Sequence, residues 1–159
     1  MSFSDKIVAR QDLAERLVQI ERPLVFTNGV FDMLHPGHVD YLERARGLGA
    51  ALIVGLNSDS SARMLDKGSD RPINRENDRA WMLAALESVT LVTSFAERTP
   101  VALLAEVRPD IYVKGGDYDI DTLEETRLVR SYGGSAEAIP FRSGYSTTAL
   151  LDRIRRSTP

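Results

Sequence analysis

Residues 24–42 read LVFTNGVFDMLHPGHVDYL, and the order of events in that stretch decides the architecture. Leu24-Val25-Phe26-Thr27 is an apolar run of the length of a buried strand. Asn28-Gly29 breaks it, and Pro36-Gly37 opens a helical pattern that continues to about Leu48 and stops at Gly49. The same unit then returns. ALIVGL, Ala51 to Leu56, is a second buried strand, and a polar loop from Asn57 to Asn74 leads into a helix capped by Asn74, with Leu83, Ala84 and Leu86 facing inward. Val89 to Phe95, Ile111 to Val113 and Ala136 to Ile139 read as three more strands. Between and after them, Thr99-Pro100 starts a helix ending near Val107, another runs from about Thr122 to Tyr132, and a last one begins at Thr147. Strands that alternate with helices of this length are parallel neighbours, because a parallel pair needs a crossover of a dozen or more residues. The expected fold is α/β: a Rossmann-like three-layer α/β/α sandwich around a five-stranded, mainly parallel sheet. One domain is expected over 1–159, with a helical extension at 1–22 and a core at 23–156.

Composition narrows the partners. With 159 residues and 43% apolar content, the chain can bury a real core. A net charge of -3 gives no broad attraction to nucleic acid or anionic lipid, so an anionic partner should be small and held in a local basic pocket. There is no cysteine, hence no disulfide framework and no thiolate metal site. No apolar run approaches the ~20 residues that span a bilayer, and Met1 to Arg10 lacks the basic-then-apolar layout of a signal peptide. The chain is therefore expected to work in the cytoplasm on small molecules, with neither a membrane nor a nucleic-acid partner.

In parallel sheets ligands gather beyond the carboxyl ends of the strands. The residues there are Thr27 to Asp32, Asn57 to Asp59, Lys114 to Asp117 and, before the last helix, Tyr145 to Thr148. Both histidines of the chain, His35 and His38, also fall at such a junction. If a helix starts at Pro36 or Gly37, both imidazoles can face one point, together with free backbone N–H groups and the positive end of the helix dipole. Gly37 leaves room there for a phosphate to approach the backbone. That combination suits a polyphosphate. A zinc site would need Asp32 or Asp40 to complete the pair, and would make the chain a metal-dependent hydrolase; two unrelated surface histidines explain either one alone but explain the shared position less well.

At this point the motifs resemble a known family. TNGVFDMLHPGHVDYL is similar to the signature of the nucleotidylyltransferase superfamily, whose H-x-G-H motif is here His35-Pro36-Gly37-His38, and Ser146-Thr147-Thr148 in GYSTTALLDRI resembles its second motif. With GLNSD, RPIN, VKGGDY and SYGG, the likeness narrows to the adenylyltransferases of the ADP-heptose pathway and extends from about Leu24 to Ile154. One departure stands out: where relatives carry a Gly-x-Glu segment, this chain has Glu125-Thr126-Arg127.

The resemblance implies transfer of AMP from ATP to a heptose 1-phosphate by direct in-line displacement, with no covalent intermediate. Glycerol-phosphate cytidylyltransferases share both motifs and form the alternative, and a nucleotide-sensing module without turnover is the non-catalytic one. A phosphate monoester is mostly dianionic at neutral pH, so the attacking group needs no general base; placement and positive charge are what the protein must supply. The resemblance assigns His35 and His38 to the transferring phosphates, with Lys67 closing over them. It assigns Thr27, Asn28, Gly29, Phe31 and Gly37 to the nucleotide's phosphate side. Lys114, Gly116 and Asp117 would hold ribose and base, and Tyr145, Ser146, Thr147 and Thr148 the β and γ phosphates. Asp32, Asn57, Asp59 and Arg71 are expected near the acceptor or the metal. Mg2+ is expected to arrive with ATP, no resident metal is expected, and superfamily members are often homodimers.

Overall fold

The computed structural model describes residues 2–65 and 68–157. Its sheet contains β1 (Leu24–Gly29), β2 (Ala51–Asn57), β3 (Leu91–Phe95), β4 (Ile111–Gly115) and β5 (Ser135–Ile139), in the spatial order β3-β2-β1-β4-β5. Every pairing is parallel, which sharpens the expectation of a mainly parallel sheet. The apolar runs explain this: both faces of each central strand must be covered. In β1, Val25 enters one core with Leu52 and Val54 of β2, whereas Leu24 and Phe26 enter the other with Ala51 and Ile53. The first core is closed by α2 (Pro36–Arg46) and α4 (Glu76–Ala84), the second by α5 (Val101–Val107) and α6 (Glu124–Ser131). These are the three layers of a Rossmann-like sandwich.

Several elements differ in extent from the expectation. The loop after β2 contains a short helix, α3 (Asp59–Arg63), capped by the Ser58 hydroxyl, which accepts from the Ser61 N–H. The expected cap Asn74 instead sends its side-chain amide to the Asp32 carbonyl, and Arg75 stands at the N-cap of α4. Pro100, not Thr99, occupies the N-cap of α5. The segment before β1 is only partly helical: α1 (Leu13–Leu17) follows two single turns, and Ile7 pairs in parallel with Val92, adding a bridge to the outer edge of β3. Backbone donors there found a strand edge to satisfy, an option that periodicity does not reveal.

The strand order reverses between β1 and β4, and this is where a crevice must open. The register shows how. β1 pairs with β4 only from Val25 to Thr27, while its pairing with β2 continues to Gly29. Beyond Thr27 the two strands part.

Candidate active site

The crevice at this switch point has a volume of about 850 Å³, within the range of ~300–1,000 Å³ typical of small-molecule sites. Its floor is Asn28 to Asp32, the loop after β1. The start of α2 contributes His35 and His38, β4 contributes Lys114 and Gly115, and Tyr145 to Thr148 close it from the start of α7 (Thr147–Ser157). A smaller hollow of about 500 Å³ lies by the amino ends of β4 and β5, but its charges are spent on each other: Arg22 meets Asp110 at 2.8 Å and Arg108 lies over the Tyr132 ring.

The imidazoles are held as a pair. His35 and His38 stack with ring centroids 3.8 Å apart and planes 22° from parallel, and the Tyr145 ring lies nearly parallel to His35 at 6.2 Å. The His38 Nδ1 accepts a long 3.4 Å hydrogen bond from the His35 backbone N–H. His35 Nδ1 is buried without a partner among the described residues. Burial of the ring, the larger effect, pushes the His35 pKa below the ordinary imidazole value, and a contact with its own backbone opposes this only in part.

The loop that carries this pair is under strain and braced. Phe31 adopts φ 47°, a left-handed conformation costly for a bulky side chain, and its ring edge meets His38 at 5.5 Å. Gly29 makes room for that ring: a Cβ there would meet Phe31 Cε2 at 2.9 Å. Arg79, 1% exposed, provides the brace. It donates to the carbonyls of Val30 at 2.7 Å, Asn57 at 2.8 Å and Asn74 at 3.0 Å, and pairs with Asp59 at 2.8 Å.

Four of the expected residues are engaged within the protein itself. Asp59 neutralises Arg79 and does not line the crevice. Asp32 lines it, and its two carboxylate oxygens accept from the backbone N–H groups of Ile73 and Asn74 at 2.8 Å, with Arg71 at 3.6 Å, so it anchors the loop. Thr27 is fully buried and its hydroxyl pairs with Tyr41 Oη at 2.6 Å. Gly37 is itself buried; a Cβ there would meet His35 Cε1 at 2.9 Å and Tyr145 Cβ at 3.1 Å, so its lack of a side chain lets those rings close over the helix start.

The other expected residues divide. Asn28, Gly29, Phe31, Asn57, Arg71, Lys114, Tyr145, Ser146, Thr147 and Thr148 line the crevice, although the Asn57 amide is tied to Ser61 Oγ at 2.9 Å. Gly116 and Asp117 do not, because the positive φ of Gly116 turns the chain away and leaves Asp117 exposed. Lys67 lies outside the described residues. Reading the sequence missed Tyr41, Arg79, Arg98, Tyr118 and Glu125. Only Arg79 left a signal: a lone guanidinium in RAWMLAAL, one residue from the inward Ala80 and four from Leu83.

Residues 26–153 match the cytidylyltransferase-like family, a span that contains the whole crevice. The chain belongs to the cytidylyltransferase-like family. Within it, the chain is 58% identical over 156 residues to a protein of Bordetella bronchiseptica named D-beta-D-heptose 1-phosphate adenylyltransferase, covering 97% of this chain and 96% of that one. It is 48% identical to the bifunctional protein HldE of Syntrophotalea carbinolica over 97% of this chain, but spans only 32% of that longer protein. Among solved structures, the lipopolysaccharide core biosynthesis protein from Thermoplasma volcanium GSS1 superposes with a TM-score of 0.63 at 32% identity, over 77% of this chain and 98% of that one. The cytidylyltransferase-like core is thus a nucleotidyltransferase module that relatives use both alone and inside a longer chain.

Proposed function

We propose that this protein transfers AMP from ATP to a heptose 1-phosphate, giving ADP-heptose and pyrophosphate for assembly of a lipopolysaccharide core. The carrying observation is the stacked imidazole pair facing the Ser146–Thr148 helix start across one crevice, in a chain 58% identical to a named heptose 1-phosphate adenylyltransferase. A sugar phosphate oxygen forms a bond to the α-phosphorus while the bond from that phosphorus to the bridging oxygen breaks, and pyrophosphate leaves. No group on the protein takes a covalent share.

The residues divide this work. His38 supplies one ring and His35 a second whose pKa rises when phosphate approaches, so positive charge develops where it is needed. At α7 the Ser146 hydroxyl accepts from the Ala149 N–H at 3.0 Å, leaving the first-turn N–H groups of Thr147 and Thr148 and their hydroxyls for the β and γ phosphates. Lys114 and Gly115 face the nucleoside, and Lys67 and Arg71 join as cations over the phosphates. Among the described residues no three His, Asp or Glu side chains gather round one point, and Mg2+ enters as part of Mg-ATP, held by the phosphates.

Among the described residues no helix is long and apolar enough to cross a membrane. The proposal includes a cytoplasmic single-domain protein acting on small molecules without nucleic acid. It also includes a homodimer, for which the half-exposed Trp81 and Met82 on α4 are the supporting surface. One assay tests the reaction: pyrophosphate release with ATP or CTP against α- and β-heptose 1-phosphates and glycerol 3-phosphate. Turnover should require ATP and a heptose 1-phosphate; activity only with CTP and glycerol 3-phosphate would refute the proposal.

A further inference from the structure

Glu125 is the crevice residue that this reaction leaves without a task. It stands in the first turn of α6, is 9% exposed, and lines the crevice. No described residue donates a hydrogen bond to its carboxylate or pairs with it as a cation. Tyr112 is close enough for the Glu125 charge to add to the burial that raises the tyrosine's pKa, yet its hydroxyl donates to Asn28 Oδ1 at 3.0 Å instead. The Glu125 oxygens are not closed off from solvent, so the water they meet at the crevice wall is what a ligand carrying hydrogen-bond donors would replace.

The crevice has two flanks, because its walls belong to opposite faces of the sheet. α2, with the imidazoles, packs on one core, whereas α5 and α6 pack on each other over the second. Arg98, Thr99 and Pro100, leading into α5, line the crevice on the same side as Glu125. A carboxylate on that flank repels a triphosphate and attracts hydroxyl donors, and the Arg98 guanidinium in the crevice wall suits a single phosphate. The partner rich in hydroxyls and carrying one phosphate is the acceptor sugar.

We propose that Glu125 is the specificity-determining residue for the acceptor, its carboxylate accepting hydrogen bonds from sugar hydroxyls while the nucleotide's phosphates lie on the imidazole flank. This assignment rests on the adenylyl-transfer reading above. A site built around a buried acceptor discriminates strongly against a ligand that leaves it unpaired.

The experiment is steady-state kinetics of E125Q and E125A with ATP and heptose 1-phosphate varied separately, alongside melting temperatures. The sugar phosphate KM should rise about 10- to 100-fold in E125A and less in E125Q, which keeps one acceptor oxygen, while the KM for ATP stays within about twofold. E125Q should melt close to the parent, since the change removes no hydrogen bond or ion pair among the described residues. An unchanged sugar KM in E125A, or a rise in the ATP KM alone, overturns the assignment. So does a lower melting temperature of E125Q with both KM values intact. Wild-type protein that turns over no heptose 1-phosphate overturns the functional reading and this one together; active wild type with an indifferent E125A overturns this one alone.

Discussion

Two helix starts face each other across the crevice, and they are built in opposite ways. α2 begins inside the molecule: Gly37 is buried, Tyr41, Leu42 and Ala45 are core residues, and the loop leading to it is tied down by Arg79 and Asp32. α7 has no buried residue and is attached to the loop after α3 by an exposed Arg155–Asp70 pair at 3.1 Å. An exposed pair of this kind contributes little, about 0–1 kcal/mol. The contrast teaches a division of labour. Charge stabilisation needs groups fixed before the substrate arrives, whereas capture of a large anion tolerates, and product release benefits from, a wall that moves.

The strongest way to break this comparison is to remove the fixed pair. His35→Ala and His38→Ala should each lower kcat by about 10²–10³-fold, with melting temperatures close to the parent, because charge is lost from the transition state while the core is untouched. Unaltered kcat in both variants would show that the pair does not act on the phosphates.

Next in size is the brace. Arg79→Met leaves Asp59 and three backbone carbonyls without a donor and should cost about 3–5 kcal/mol in chemical denaturation. If its stability matched the parent, the claim that α2's entry loop is held by Arg79 would fail. The corresponding change on the exposed side should be smaller and local. Ser146→Ala removes one cap and should weaken α7 by about 1 kcal/mol, seen as faster amide exchange confined to that helix and about a fivefold higher KM for ATP. Exchange that quickened equally in α2 would mean that the two starts are coupled and not distinct.

The smallest effect is on pH dependence. His35 has a lower pKa folded than unfolded, so below about pH 6.5 the unfolded chain binds protons that the folded ring refuses. Its contribution is present above that value and is lost as pH falls below it. The pH dependence of stability below about pH 6.5 should therefore be shallower in His35→Asn than in the parent. The same linkage makes nucleotide binding take up protons near neutrality, measurable by calorimetry in buffers of different ionisation enthalpy.

Much of the site was legible because its signals are local. A strand that stops at Asn28-Gly29, a helix that starts at Pro36, and two histidines three apart place themselves by chain geometry alone. The acidic residues were harder for a specific reason. Asp32, Asp59, Asp117 and Glu125 are chemically near-equivalent in a sequence, and what separates them is who donates to them. Ile73 and Asn74 satisfy Asp32, Arg79 takes Asp59, water surrounds Asp117, and nothing in the described chain serves Glu125. Those donors lie 20 or more positions away for Asp32 and Asp59, so no window of sequence contains them.

By itself, then, the sequence determined the alternation of buried strands and helices, the parallel sheet that follows from it, and the pairing of His35 with His38 at a helix entrance, because each depends on neighbours within a few residues. Only the tertiary structure decided which polar groups are free to meet a substrate. Hydrogen-bond satisfaction is settled between distant segments: it withdrew Thr27, Asp32 and Asp59 into the framework and left Glu125 facing the crevice.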